Sequence, residues 1–109
     1  MADPTLPQIF GDNALQDADK LTLSKIDFVD VGLQPTGVNR AESLFVALLL
    51  KAKQYLNDTN RSTNTDIQIV INDPSESLTT QNSQKYRVLS YTIELYRPEA
   101  ATATNPMDY

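Results

Sequence analysis

The run from Asn39 to Asn57 reads as one amphipathic helix, and no other stretch of the chain limits the possible folds so strongly. At about 100° per residue, Ala41, Leu44, Phe45, Leu48, Leu49, Ala52, Tyr55 and Leu56 share one arc of roughly 140°, a face that must be buried. Asn39 can accept hydrogen bonds from the first turn, and Glu42 can reach back to its backbone, a capping box with Asn in place of Ser or Thr. Val46 and Leu50 do not fit this scheme. They lie about 100° and 140° from Phe45, on the side that should face water, and so form a surplus apolar surface.

The chain has 109 residues, enough for one domain burying about two-thirds of its unfolded surface. A net charge of −5, with Lys and Arg scattered, argues against a nucleic-acid partner. No apolar run approaches the ~20 residues needed to span a bilayer, and no basic segment leads into a hydrophobic one, so no membrane partner and a soluble, unsecreted chain are expected. Cys and His are both absent. That removes disulfides, thiolate metal sites, the commonest general base and the most nucleophilic side chain.

Residues 1–20 show neither helical nor strand periodicity and hold Pro4 and Pro7, which suggests an extended N-terminal arm. Leu6, Ile9 and Phe10 on that arm are too apolar to stay in water; they either tuck against the chain's own core or dock on a neighbouring molecule. Leu21 to Val31 suggests a strand with a bulge near Ser24 and Lys25. The helix should end in the turn-forming cluster Asn57, Asp58, Thr59, Asn60, followed by a polar loop. Asp66 to Asn72 alternates as a half-buried strand, with Ile67, Ile69 and Ile71 on one face and Gln68 and Val70 on the other. Asp73-Pro74 closes it, and Ser75 to Gln84 reads as a long hairpin loop. The last strand, Lys85 to Arg97, would turn Leu89, Tyr91, Ile93 and Leu95 inward. The residues after Pro98 carry no pattern to bury and form a flexible C-terminal tail. The expected fold is α+β: one amphipathic helix on a small mixed sheet in the order β-α-β-β, spanning 21–97, with a helix crossover making the first two strands parallel and the long last strand central.

Chemistry has few candidates. The acidic groups are Asp27 with Asp30, Asp73 with Glu76, and the trio Asp12, Asp17, Asp19. General acid-base work needs one carboxyl buried, which loops and edges do not promise, and the trio lacks the alternating pattern of a calcium loop. Ordinary solvated acids are the simpler reading. No nucleophile elbow or phosphate-binding loop occurs, so no cofactor, metal or small-molecule substrate is expected. Two N-x-[ST] matches, at Asn57 and Asn60, are what chance gives in a loop rich in Asn and Thr. Tyr86, Tyr91 and Tyr96 with Arg87 and Arg97 suggest a stacking platform, but Tyr91 points opposite to the other two, and packing is the simpler role.

A short acidic chain without Cys or His, with Leu6-Pro7-Gln8-Ile9-Phe10-Gly11 as an apolar arm, Val46 and Leu50 as surplus surface, and an unpatterned tail after Pro98, resembles the small accessory proteins of tailed-bacteriophage particles. These are capsid cement or decoration proteins and tail or neck completion proteins. The resemblance implies a non-enzymatic structural protein of the virion that forms a homo-oligomer and docks on a larger protein shell, with Leu6, Ile9, Phe10, Val46 and Leu50 as protein-interface residues. The alternative is a stand-alone, cytoplasmic module that binds a protein or peptide through an exposed sheet edge. An enzyme using paired carboxylates is the third and least supported reading.

Overall fold

A computed structural model describes residues 2–98 and 105–109. Its backbone is mixed α+β, with one long helix and small antiparallel sheets. Helix α1 (Leu6–Phe10) leads into the strands β1 (Leu15–Gln16) and β2 (Leu21–Thr22), then a 3-10 segment over Lys25–Val31. Helices α2 (Ala41–Tyr55) and α3 (Asp58–Thr63) follow, then β3 (Ile69–Ile71), β4 (Ser75–Gln81), β5 (Gln84–Ser90) and β6 (Ile93–Leu95), and a 3-10 turn at Pro106–Asp108.

α2 is the organising element, but it serves two small cores rather than one sheet. Ala47, with Leu44 and Leu48 beside it, packs with Phe28 and Leu33. Towards its C-terminal end, Leu49, Ala52, Tyr55 and Leu56 pack with Ile67, Ile69 and Ile71 of the strand region and Ile9 of α1. Phe45 lies on the expected core arc yet is 69% exposed, because no sheet covers the first turns of the helix. The expected strand from Leu21 to Val31 is mostly a 3-10 segment whose apolar contact with α2 is at Leu44, Ala47 and Leu48, with Asp30 reaching Lys51 further along the helix.

The helix also starts differently from its capping signal. Arg40 is the N-cap and makes no side-chain cap. Asn39 is used one step earlier: its Oδ1 accepts from Thr36 N–H (2.9 Å) and its Nδ2 donates to Gln34 C=O (2.9 Å), which pins the loop before the helix. Glu42 pairs with Arg40 in solvent, a contact of little energetic weight. The capping chemistry appears instead at the other end. Asn57 donates to Lys53 C=O (3.1 Å) and Gln54 C=O (3.2 Å), and its Oδ1 accepts from Asn60 N–H (2.9 Å). One side chain thus closes α2 and opens α3, where a plain turn had been expected. Asn57→Ala should therefore lower stability by about 1–2 kcal/mol in urea unfolding, while the exposed Thr59→Ala changes it little; equal losses would contradict this role. Asn60 is not idle either, since its Nδ2 donates to Tyr55 C=O at 2.8 Å.

The N-terminal stretch is not an extended arm throughout. Thr5 and Gln8 form a reciprocal capping box (Gln8 N–H to Thr5 Oγ1 3.4 Å, Thr5 N–H to Gln8 Oε1 2.8 Å), and Pro7 sits in the first turn, where its missing N–H does no harm. α1 packs along α2. Gly11 ends it at φ 104° and ψ 157°, a region open essentially to glycine alone. The tail, too, is more structured than expected where it is described: Asp108 pairs with Arg97, and its C=O accepts from Gln68 Nε2 at 3.3 Å. Residues 99–104 of the expected tail lie outside the described residues.

The four later strands form one long hairpin in two parts. At its base, β3 pairs antiparallel with β6, Ile71 opposite Ile93 and Ile69 opposite Leu95. Towards its tip, β4 pairs antiparallel with β5, from Ser75 opposite Ser90 to Gln81 opposite Gln84. Between the parts, Asn72, Asp73 and Pro74 on one arm face Tyr91 and Thr92 on the other, so the ladder slips by one residue. Pro74 cannot donate to a ladder, and the extra residue is the bulge that accommodates it. The expected antiparallel relation of the second and third strands is present. The expected loop from Ser75 to Gln84 is instead a strand and a turn, the last strand is broken at Tyr91 and Thr92, and neither a parallel pair nor a central last strand occurs among the described residues. Val70 is as fully buried as Ile67, so β3 is covered on both faces, with α3 packing on it, while β6 stays exposed. Ile93, expected to face the core, is 51% exposed.

Candidate protein interface

The two sets of residues expected to meet a partner lie on different sides of α2. Val46 is 50% exposed and Leu50 half-buried, and both line a groove of about 660 Å³ between α2 and the segment from Val31 to Thr36. Its floor includes Leu33 and Ala47, and Arg40 and Glu42 stand at one end. The groove exists because the expected strand before α2 is a 3-10 segment ended by Gly32 at φ 105°, after which the chain runs beside the helix without closing over it. Leu6, Ile9 and Phe10 are half-buried on α1, and Ile9 joins the cluster of Leu56, Ile67 and Ile71. Of the two destinations weighed for the arm, its own core already holds Ile9.

A further uncovered surface was not singled out from the sequence. Every residue of β4 and β5 is exposed, and the pair stands clear of both cores. Asn82 and Ser83 close it with φ of 51° and 64°, the two left-handed positions of a type I′ turn. One face of this ribbon carries Glu76, Leu78, Thr80, Lys85, Arg87 and Leu89; the other carries Ser77, Thr79, Tyr86 and Val88. Leu78 is 76% exposed. The accessible surface totals 8278 Å², against about 6,000 Å² for a compact chain of this mass. The radius of gyration of 16.3 Å likewise exceeds the roughly 13 Å of a compact domain this long.

The acidic residues have local duties. Asp27 accepts from both the backbone N–H (2.8 Å) and Nδ2 (2.7 Å) of Asn13, tying the segment after Gly11 to the 3-10 segment. Asp17 Oδ1 accepts from Asp19 N–H (2.8 Å) and Lys20 N–H (2.9 Å), which builds the turn between β1 and β2. Asp73 pairs with Lys53. Lys51 donates to Asp30 and holds its carboxyl below the usual carboxylate range. The small stability this adds is present above a pH of about 4 and is lost as the pH falls further. Among the described residues no three carboxylates converge in a way that could hold a metal ion.

The tyrosines do not form a platform. The Arg61 guanidinium lies 3.8 Å from the centre of the Tyr96 ring, Tyr91 packs against the Leu56 cluster, and Tyr86 stands on the exposed hairpin. Arg61 also donates to Ile67 C=O at 2.9 Å, and Arg97 is paired with Asp108, so both cations beside Tyr96 are engaged within the chain. No helix among the described residues is long and apolar enough to cross a membrane. No protein-family model matches the sequence, and comparison with curated proteins and with solved structures finds no significant match.

Proposed function

We propose that this chain is a non-enzymatic structural subunit that associates with copies of itself and docks on a larger protein assembly, in the manner of the virion cement or decoration proteins its sequence resembles. The β4–β5 ribbon carries this reading. A two-stranded ribbon with no buried face is marginal in water on its own, and each of its strands offers an open hydrogen-bonding edge. Leu78, Tyr86, Val88 and Leu89 all stand exposed on this ribbon, apolar surface of the kind an interface covers. The groove holding Val46 and Leu50, lined in equal part by polar residues such as Asn39, Arg40 and Glu42, adds a second site on another side of the molecule, as a subunit with neighbours on several sides requires.

The open edges also favour the second reading, a stand-alone module that adds an extended peptide to its sheet. The two differ in self-association. Val46→Glu combined with Leu50→Glu should weaken association of the purified chain by at least ten-fold, roughly 1.4 kcal/mol, with an unchanged far-ultraviolet circular dichroism spectrum. Association as strong as in the unsubstituted chain removes the helix groove from the interface.

A further inference from the structure

We infer that the partner of the exposed hairpin is the hairpin of a second copy, joined β4 to β4 across a two-fold axis at Leu78 to give a four-stranded antiparallel sheet. The inference rests on the assembly reading and specifies its contact. The pairing follows from which backbone groups are free. In a two-residue loop the flanking pair, here Gln81 and Gln84, is a hydrogen-bonded one. Alternation along the ladder then turns the N–H and C=O groups of Glu76, Leu78 and Thr80 outward on β4, and those of Lys85, Arg87 and Leu89 outward on β5.

Charge separates the two edges. An antiparallel β5–β5 pairing with full overlap is centred on Arg87 and sets it opposite Arg87 of the second copy, a like-charge contact that opposes association. The same full overlap for β4 is centred on Leu78. It sets Leu78 against Leu78 and Glu76 against Thr80 of the second copy, all of them residues whose backbone groups already point outward. No like charges meet. On the opposite face, Ser77 meets Thr79 of the second copy, a hydroxyl pair of the kind that stabilises sheets. The most exposed large apolar residue of the hairpin thereby gains an apolar neighbour, where β4 against β5 would place a second Arg87 beside it. A two-fold contact also closes on itself, which leaves the helix groove free to join such pairs to further copies.

Residue-resolved amide exchange on the unsubstituted chain at two concentrations tests the pairing. The amides of Glu76, Leu78 and Thr80 should exchange at least about ten-fold more slowly in the associated sample, and those of Lys85, Arg87 and Leu89 should not. Because the chain has no other Cys, Leu78→Cys should oxidise to a covalent dimer, the paired Cα atoms lying about 5.5 Å apart, whereas Thr80→Cys should not. Protection on β5, or on both edges together, overturns the two-fold pairing in favour of a β5 or head-to-tail contact. An oligomer whose β4 amides exchange freely overturns the pairing and leaves the assembly reading standing; a monomer at every concentration overturns both.

Discussion

Ile67→Ala should lower the stability of the fold by about 2–5 kcal/mol, the largest loss expected from any truncation in the chain. Ile67 is fully buried where Ile9, Leu49, Leu56 and Ile71 come together, so one cavity there touches α1, α2 and the base of the hairpin at once. A domain of this size has roughly 5–15 kcal/mol in hand, and the described core is small, so the variant should sit near its unfolding transition at room temperature. Ile93→Ala supplies the comparison. Ile93 faces Ile71 across the ladder but is half in solvent, and its loss should be less than half as large. Urea unfolding of the two variants ranks them, and a larger loss at Ile93 would restore the inward-facing last strand that the sequence suggests.

Gly11→Ala should cost about 2–4 kcal/mol for a different reason. At φ 104° and ψ 157° any residue with a Cβ is strained, and that Cβ would fall 2.5 Å from the Cβ of Asp27. The obstruction is the root of a side chain rather than its flexible end, so the backbone must move. Moving it disturbs the two bonds from Asn13 to Asp27 that hold the N-terminal segment in place. Asp27→Gly made alone removes those bonds and also clears the space, and the Gly11→Ala penalty measured in that background should shrink by about half. A penalty unchanged by Asp27→Gly would place the whole cost in the backbone angle.

The helix was legible because its apolar spacing persists over fifteen residues, more than any local exception can mask. Its start was not, because Asn39 has the side chain of a cap and the loop before the helix uses it first. The strand from Leu21 to Val31 misled for a related reason: a short apolar run with a slip in its alternation fits a bulged strand as well as a 3-10 segment. Ile67, Ile69 and Ile71 marked the base of the hairpin clearly. Its tip stayed hidden, since Ser75 to Gln81 holds one large apolar residue and the turn is Asn82-Ser83 rather than the Asn-Gly that signals such hairpins. The same poverty of apolar residues that obscured β4 leaves the ribbon without a core of its own. For the candidate interface, the periodicity isolated Val46 and Leu50, whereas the loop that turns them into a groove is held by the long-range packing of Phe28 and Leu33 on Ala47, which no local pattern encodes.

Sedimentation equilibrium of the unsubstituted chain over a hundred-fold range of concentration tests self-association most directly. The account predicts a mass that rises from near 12.1 kDa to a defined multiple of it as concentration increases. A mass fixed at 12.1 kDa across the whole range would contradict it and leave the stand-alone module as the better reading.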